Sequence, residues 1–421
     1  MSEWRNWSGS VIATPAERAN PRILEELCAL VARAERVRVT GAGHSFMPLC
    51  ETDGALISLA DMEGELEVAP DRRSVWTPAG WSIARLTAAL WDLGLSLANQ
   101  GDIDKQAIAG ALATGTHGTG CALGSLSTLA GAFRLVLADG SVVECDAERE
   151  RDLFEAQRVS LGMLGVMAAV RLAVLPAYRL RETIRRVPLE EALAEWDQLA
   201  ARHRHVEFFV FPYADEAMLK ILEPVEAGDE AVAKTPADGA FQFACDFAAA
   251  APFLAPTLQR LMSRAIGASS RAGPAFRIFP SERAVRFEEM EYEIPAAAGA
   301  ETLRRAMAEV RRRRFPIIFP FEFRAVAGDD ILLSPMNAGP CVSISFHQYV
   351  RMPWREAFAT VEAVFAEGGG RPHWAKRHTL TSEDVVRLYP AAERWGATRK
   401  RVDPAGKFLN AHLRDLFAFS L

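Results

Sequence analysis

The residues whose types and spacing most clearly suggest a chemical role are two glycines and a histidine in one turn. Gly41, Gly43 and His44 follow a short run of alternating apolar residues within VRVTGAGHSF, residues 37–46. Backbone N–H groups at such a turn can bind a phosphate, and a histidine there could hold a cofactor permanently. A dinucleotide-binding fingerprint would need a third glycine where this chain has Phe46, and no amphipathic helix follows. Two interpretations stay open: a phosphate-binding turn, or a structural turn with a hydrogen-bonded histidine.

A second glycine-rich segment, IAGALATGTHGTG at residues 108–120, combines small residues with hydroxyl groups. Taken alone it could be a tight structural turn, but it would also let a flat or charged ligand approach the backbone closely. Two such loops, about seventy residues apart in a region without a Rossmann pattern, predict a large cofactor between two subdomains.

A carboxylate and a guanidinium two residues apart form the third candidate group. Glu322 and Arg324 would share one face of a strand, while Phe321 and Phe323 would point to the other. Together the charged pair could accept hydrogen bonds from a polyol or lactone and donate to it. An exposed surface ion pair is the alternative. His347 could line a pocket or be a hydrogen-bonded core histidine.

The elements that must position these residues change in character along the chain. Up to about residue 175 the pattern is mixed α+β, because short helical and extended stretches alternate. The predicted elements are a helix over residues 20–34 capped by Asn20, a strand at 55–59, a helix over 83–93 between its cap Ser82 and Gly94, and a strand at 132–137 that enters a hairpin through Asp139 and Gly140.

From about Tyr178 the strands become longer and richer in aromatic residues. In the stretch 289–294, glutamates alternate with apolar residues, which predicts a strand with one solvent-facing side. Further predictions are a strand at 207–211, a helix with Leu303, Met307 and Val310 inside, a strand around 317–326, and a surface loop over 224–239. The run Arg311–Arg314 is interpreted as a solvated helix end rather than a nucleic-acid patch.

Composition narrows the class of protein. The chain has 421 residues, 50% of them apolar, and a formal net charge of -6 that is spread along the sequence, so we expect a globular protein without nucleic-acid partners. No leader-like start and no apolar run long enough to span a bilayer are found, which predicts a soluble cytoplasmic protein without an integral membrane segment. The six cysteines are widely separated, so neither a zinc cluster nor a disulfide framework is expected.

Several motifs resemble one flavoprotein family in the order in which that family carries them. The segments at 41–45, 113–120 and 160–166 resemble the FAD-binding domain of the vanillyl-alcohol oxidase superfamily. The segments at 321–324, 329–334, 371–376, 388–390 and 403–410 resemble the sugar-1,4-lactone oxidases, a family to which alditol oxidase is more distantly related. The resemblance covers nearly the whole chain.

The resemblance implies a fold and a cofactor. The fold would be α+β, with a two-subdomain FAD-binding domain of the vanillyl-alcohol oxidase (PCMH) type at residues 1–177. A cap domain with a large antiparallel sheet flanked by helices would follow at 178–370, and a segment at 371–421 would return to the FAD. His44 would bind the flavin covalently. The remaining cofactor-binding residues would be Val39, Thr40, Gly41, Ala42, Gly43, Ser45, Gly101, Asp102, Gly110, Ala113, Thr114, Gly115, Thr116, His117, Gly118, Val166 and His373.

The resemblance also implies a reaction, the oxidation of a sugar lactone such as L-gulono-1,4-lactone by hydride transfer to the flavin. Arg324 would stabilise the reduced ring, Glu322 would bind substrate hydroxyls, and Lys376, expected beside the arginine with a lowered pKa, would take the hydroxyl proton. With His347, these residues would bind the substrate. Gly101 favours reoxidation by O2 over another redox acceptor, although a plain backbone turn explains it equally well. Alditol oxidation and a non-catalytic flavin-binding protein remain the alternatives.

Overall fold

The computed structural model describes residues 3–226, 238–281 and 284–421. The N-terminal portion, up to Pro176, consists of small sheets and four short helices. Its strands are β1 (Trp4–Arg5), β2 (Ile12–Ala13), β3 (Glu17–Ala19), β4 (Val37–Thr40), β5 (Ala55–Ser58), β6 (Glu67–Val68), β7 (Ser74–Pro78), β8 (Leu95–Ser96), β9 (Ala130–Val136), β10 (Val142–Asp146), β11 (Val166–Ala173) and β12 (Leu175–Pro176). Its helices are α1 (Leu24–Arg33), α2 (Ile83–Asp92), α3 (Ile108–Ala113) and α4 (Arg151–Gln157).

Two sheets organise this portion. β3, β5 and β4 form a parallel sheet, and an antiparallel sheet has the order β10-β9-β11-β7-β6. The predicted hairpin is present, since β9 pairs with β10 around a turn in which Gly140 has φ 84°. Helix α2 also matches its prediction, because the Ser82 side chain accepts from the Arg85 N–H and Gly94 follows the helix with φ 68°.

The start of the first helix was predicted wrongly. Helix α1 begins at Leu24, and Ile23 occupies the N-cap position without a side-chain hydrogen bond. The Asn20 side chain instead donates a hydrogen bond to the Asp61 carboxylate at 3.2 Å. The residue predicted to cap the helix therefore links the segment before α1 to the segment after β5.

The second portion is built on one eight-stranded antiparallel sheet, in the order β16-β13-β15-β14-β18-β19-β17-β20. The strands are β13 (Arg179–Pro188), β14 (His205–Val210), β15 (Glu216–Val225), β16 (Ser269–Pro274), β17 (Phe287–Pro295), β18 (Phe321–Val326), β19 (Cys341–Tyr349) and β20 (Arg371–Pro372). The helices are α5 (Leu189–Ala194), α6 (Trp196–Arg202), α7 (Asp238–Ala250), α8 (Ala255–Ala265), α9 (Ala275–Ile278), α10 (Gly299–Arg313) and α11 (Arg355–Glu367). The expected α+β fold with a large antiparallel sheet is confirmed.

The two faces of this sheet differ sharply. One face is apolar and packs on α10 and α11, where Leu303, Met307 and Val310 lie inward as predicted. Phe321 and Phe323 belong to this core, so Glu322 and Arg324 point to the other face.

The other face carries charged side chains and is buried as well. Glu289, Glu291 and Glu293 of β17 are 4%, 2% and 2% exposed. The prediction that this strand has a solvent-facing side is therefore wrong. Cationic side chains from other segments lie against the glutamates, and this pairing permits their burial.

The C-terminal segment folds back on the N-terminal portion. Helices α12 (Ser382–Leu388), α13 (Ala392–Val402) and α14 (Ala411–Leu416) contribute to the same core as α2 and α3. In this core Trp374 stacks on Tyr389 at 5.0 Å between ring centroids. The segment 371–376 thereby lies between the C-terminal helices and the charged face of the sheet.

Three remaining predictions have mixed outcomes. The loop predicted at 224–239 lies mostly outside the described residues, and its described ends belong to β15 and α7. Arg311 to Arg314 do end α10, where Arg312 pairs with Glu309. All six cysteines are free thiols in the structure. Of the helices in the described ranges, none has the length and apolar character that crossing a membrane requires.

Candidate active site

A cavity of about 440 Å³ opens beside the first glycine-rich turn. Its walls come from five stretches of the N-terminal portion, residues 38–50, 58–60, 79–85, 105–114 and 157–167, and from Ala375 of the C-terminal segment. The two glycine-rich loops that the sequence singled out therefore face one space.

The cavity wall fits a large, flat, polar-edged ligand such as the expected flavin. A Cβ added to Gly41 would lie 2.8 Å from the Cβ of Ala107, so glycine lets the two wall segments meet. Trp81 Nε1 and Gln157 Oε1 are buried in the wall without a hydrogen-bond partner among the described residues. Unpaired buried polar atoms are costly unless a ligand or water satisfies them.

Arg38 is a wall residue that the sequence analysis missed. Its buried guanidinium donates to the carbonyl oxygens of Leu49, Leu161 and Phe408 at 2.6–2.7 Å, and to that of Gly162 at 3.1 Å. Burial lowers the pKa of Arg38 to about 10. The side chain joins β4, the 160–165 turn and the C-terminal segment, and it places a positive charge beside the cavity.

A second cavity, of about 60 Å³, lies between the N-terminal portion and the charged face of the sheet. His44, Gln106 and Ala375 line both cavities, so the two spaces adjoin. The smaller one is enclosed by charged and aromatic side chains.

Glu291 is the centre of the charged groups in this pocket. Its Oε1 pairs with Arg324 and lies 2.6 Å from Ser343 Oγ and 3.1 Å from His117 Nε2. Its Oε2 lies 3.7 Å from Lys376 Nζ. One carboxylate thus contacts three cationic side chains, and it holds Arg324 and Lys376 near each other.

Lys376 lies in different surroundings from those predicted. Its ammonium pairs with Glu289, whose other oxygen lies 3.2 Å from His347 Nε2. Burial disfavours the ionised form of Glu289, but Lys376 and His347 outweigh it and lower the pKa of that carboxyl to about 2. Two carboxylates, Glu289 and Glu291, therefore face the Lys376 ammonium.

Three histidines of the site differ in charge. Burial opposes protonation of His117, but Glu293 and Glu291 outweigh it and raise its pKa to about 10. Burial lowers the pKa of His373 to about 3 and that of His44 to about 4, with nearby Lys376 adding to the latter effect. At neutral pH His117 is an imidazolium, whereas His44 and His373 present neutral rings.

Most of the residues predicted from sequence line these two cavities. Those that line the larger cavity are Val39, Thr40, Gly41, Ala42, Gly43, His44, Ser45, Gly110, Ala113 and Thr114. Those that line the smaller cavity are His44, Gly101, Asp102, Thr116, His117, Glu322, Arg324, His347, His373 and Lys376.

Three predicted residues lie in neither wall. Gly115 is near Pro335 and Val159, and Val166 is buried in a neighbouring core. Gly118 fits closely against Gln100, since an added Cβ would lie 2.4 Å from the carbonyl oxygen of that residue. These positions shape the loop and strand behind the walls.

Three of the glutamates on β17, Glu289, Glu291 and Glu293, are functional candidates that the sequence analysis missed. The sequence shows that they alternate with apolar residues, but the same pattern also fits a strand with one solvent-exposed face. No local signal identifies them, because β19 lies between β17 and the strand of Glu322 and Arg324, and the countercharges His117 and Lys376 are distant in sequence.

Two family models match separate parts of the chain. A family model for D-arabinono-1,4-lactone oxidase matches residues 170–416, and one for an FAD binding domain matches residues 15–146. L-gulono-1,4-lactone dehydrogenase of Mycobacterium tuberculosis is 37% identical over 98% of both chains. L-gulonolactone oxidase of Bos taurus is 30% identical, over 99% of this chain and 98% of its own. Alditol oxidase of a Streptomyces species is also 30% identical, over 98% of both chains.

Among solved structures, cholesterol oxidase from B. sterolicum has the same fold. The TM-score is 0.82 at 17% identity, and the match covers 99% of this chain and 96% of the other.

Proposed function

Since this chain belongs to the D-arabinono-1,4-lactone oxidase family and is an FAD-dependent oxidoreductase of sugar lactones, we propose that it oxidises the secondary alcohol at C2 of L-gulono-1,4-lactone or a related aldonolactone. The observation that carries the proposal is the junction of the two cavities at His44. A large glycine-walled space there meets a small charged one, as a cofactor and a polyhydroxyl substrate would require.

We assign the larger cavity to FAD. Backbone N–H groups of residues 41–45 suit its diphosphate, and the buried charge of Arg38 favours an anion beside them. Bound FAD supplies the two-electron acceptor of the reaction. A neutral His44 ring that lines both cavities is a suitable nucleophile for a covalent link to the flavin, and we propose that link at this residue.

We assign the smaller cavity to the lactone. Glu322 Oε1 and Arg324 Nε are buried and lack hydrogen-bond partners among the described residues, so both are available to substrate hydroxyls and carbonyl oxygen. Lys376 pairs with Glu289 and lies 3.7 Å from Glu291, and we place it as a hydrogen-bond donor to the reacting oxygen. His347 and His373 complete the wall.

The proposed domain division is 1–177 for the cofactor, 178–370 for the cap and 371–421 for the returning segment. O2 is the proposed acceptor of electrons from the reduced flavin, and Gly101 in the pocket wall leaves room for it.

The cytoplasmic location stays a prediction from the sequence.

The test is anaerobic mixing of the holoenzyme with a panel of aldonolactones and alditols while the flavin absorbance is followed. Bleaching by L-gulono-1,4-lactone faster than by xylitol or sorbitol is expected. Faster bleaching by the alditols would make the chain an alditol oxidase. A flavin that no compound bleaches would indicate a non-catalytic binding protein. Admission of air afterwards, with detection of peroxide, tests the acceptor.

A further inference from the structure

Trp7 is an aromatic residue in the wall of the smaller cavity, and its ring lies against that of His44. The two rings are stacked, with 5.2 Å between their centroids and 29° between their planes. The His44 side chain makes no hydrogen bond within the described residues. The contact with the indole is therefore the interaction that sets the plane of the imidazole.

Two hydrogen bonds hold Trp7 against the turn that carries His44. Trp7 lies in the loop that joins β1 and β2, which pair as an antiparallel hairpin. The Trp7 N–H donates to the Gly43 carbonyl oxygen at 2.8 Å, and the Asn6 side-chain amide donates to the Ser45 carbonyl oxygen at 3.0 Å. Because these bonds flank His44 in the chain, the turn is fastened to the hairpin on both sides of the histidine.

The hairpin itself is held in one conformation. Asn6 is buried, its Oδ1 accepts from the Val11 N–H at 3.0 Å, and its backbone N–H donates to the Val11 carbonyl oxygen at 3.1 Å. Arg377, next to Lys376 in the returning segment, donates to Ser10 Oγ at 2.7 Å. A loop fixed by buried side-chain hydrogen bonds presents its indole in a defined place.

Gly43 lets the hairpin and the turn meet backbone to backbone. It has φ 70°, and a Cβ added to it would lie 3.2 Å from Trp4 Cζ2 and 3.5 Å from Asn6 Cα. A side chain at this position would strain the turn and push the hairpin away. The second glycine of the motif therefore serves the contact with Trp7 as well as the cavity wall.

Other aromatic rings fix the indole from its remaining sides. Phe287 of β17 approaches it edge to face at 5.0 Å between ring centroids, and Phe46 does so at 6.5 Å. Both phenylalanines are buried. The indole thus lies between the imidazole and a rigid part of the large sheet, and it has little room to turn.

We propose that Trp7 is a positioning residue of the flavin site, which holds the His44 ring in the orientation that its link to the flavin requires. The inference rests on the proposed function, because it takes His44 as the residue that binds the flavin. Trp7 makes and breaks no bond in this role. A His44 ring that is free to turn should become linked to fewer flavins, and it should hold a linked flavin less well placed beside the smaller cavity.

The first measurement does not depend on turnover. It is the fraction of the yellow colour that stays with the protein when freshly expressed holoenzyme is precipitated with acid. Trp7→Leu, which keeps an apolar side chain without a ring, should lower that fraction severalfold, and Trp7→Phe, whose ring can stack, should restore it. Trp91→Leu is the matched control, because Trp91 contacts the ring of Phe276 at 5.6 Å and lies outside both cavity walls. It should leave the fraction unchanged.

The second measurement is stopped-flow reduction of the holoenzyme by L-gulono-1,4-lactone without oxygen. In Trp7→Leu the limiting rate should fall about tenfold or more, because small displacements of reacting groups are costly. The lactone concentration at half-saturation should change by less than about twofold, because Glu322 and Arg324 are untouched. Trp7→Phe should recover most of the rate. A variant that is merely less stable would not show this separation of rate from binding.

The outcomes separate the possibilities. A colour fraction and a limiting rate that stay at the wild-type values in Trp7→Leu overturn the proposal, and so does a Trp7→Phe variant that loses as much as Trp7→Leu. If Trp7→Leu does not fold, Trp7→Met, which also lacks a ring, replaces it in both comparisons. Wild-type colour that washes out overturns the link proposed at His44 and this inference with it. A linked flavin that no lactone bleaches overturns the proposed reaction alone, and the colour fraction then decides the role of Trp7.

Discussion

Replacement of Glu291 by glutamine tests whether one carboxylate holds the active-site cations in place. Its Oε1 contacts Arg324, Ser343 and His117, and its Oε2 faces Lys376. Glutamine keeps the shape and one acceptor oxygen but removes the charge. Among the described residues, Arg324 would then retain Glu322, at 3.6 Å, as its ion-pair partner.

The size of the effect follows from burial. Removal of one partner from a buried ion pair costs about 3–5 kcal/mol, and because glutamine still accepts a hydrogen bond we expect about 3 kcal/mol of unfolding free energy. Displacement of Arg324 by about 1 Å would also slow flavin reduction about a hundredfold. Both losses should occur together, since they have one cause.

The stability effect has a defined pH dependence. The pKa of His117 is raised to about 10 in the folded protein, so the stabilisation from its charge is present below its ordinary pKa and is lost as pH rises towards 10. In Glu291→Gln one of its two carboxylate partners is gone, so the pKa of His117 falls and this stabilisation is lost at lower pH.

Urea unfolding at several pH values, with equal flavin loading, measures these quantities, and anaerobic stopped-flow measures the rate. Glu288→Gln is the matched control, because Glu288 is a buried neighbour on β17 whose partner is Arg377, at 2.7 Å and outside the pocket. If Glu291→Gln loses no more stability than this control and reduces its flavin at the wild-type rate, Glu291 does not organise the site.

Three further predictions concern individual residues. His44→Ala should release the yellow colour into the supernatant on acid precipitation, whereas wild-type colour should stay with the protein; wild-type colour that washes out contradicts the covalent link. Gly101→Ala should slow reoxidation by O2 more than anaerobic reduction. Its added Cβ would lie 3.0 Å from the His117 carbonyl oxygen, so an equal loss in both steps would indicate a displaced loop rather than blocked oxygen access. Lys376→Met should slow reduction and weaken lactone binding, since it removes the proposed donor to the reacting oxygen, and unchanged turnover in steady-state assays would exclude that role.

Local signals in the sequence predicted those elements whose stabilising contacts are local. Ser82 caps α2 through a residue three positions away, and the Asp139–Gly140 turn joins adjacent strands. The shared face of Glu322 and Arg324 followed from strand geometry alone. Each of these needs only a few neighbouring residues.

Predictions failed where the deciding partner is distant in sequence. Asn20 binds Asp61 rather than capping a helix. The glutamates of β17 are paired with His117 from the second glycine-rich loop and with Lys376 from the returning segment. Alternation alone cannot distinguish a solvated face from a buried one whose countercharges come from elsewhere.

The two faces of the large sheet explain how the chain tolerates so much buried charge. Buried ion pairs contribute little net stability, because desolvation offsets their attraction. The opposite face compensates, since Phe323, Ile344 and Tyr292 pack there against α10 and α11 in one continuous apolar core. Because adjacent residues of a strand alternate between these faces, each β17 glutamate is fixed by an apolar neighbour. The apolar core therefore does more than stabilise the fold, since it also sets the positions of the charged side chains that face the proposed substrate.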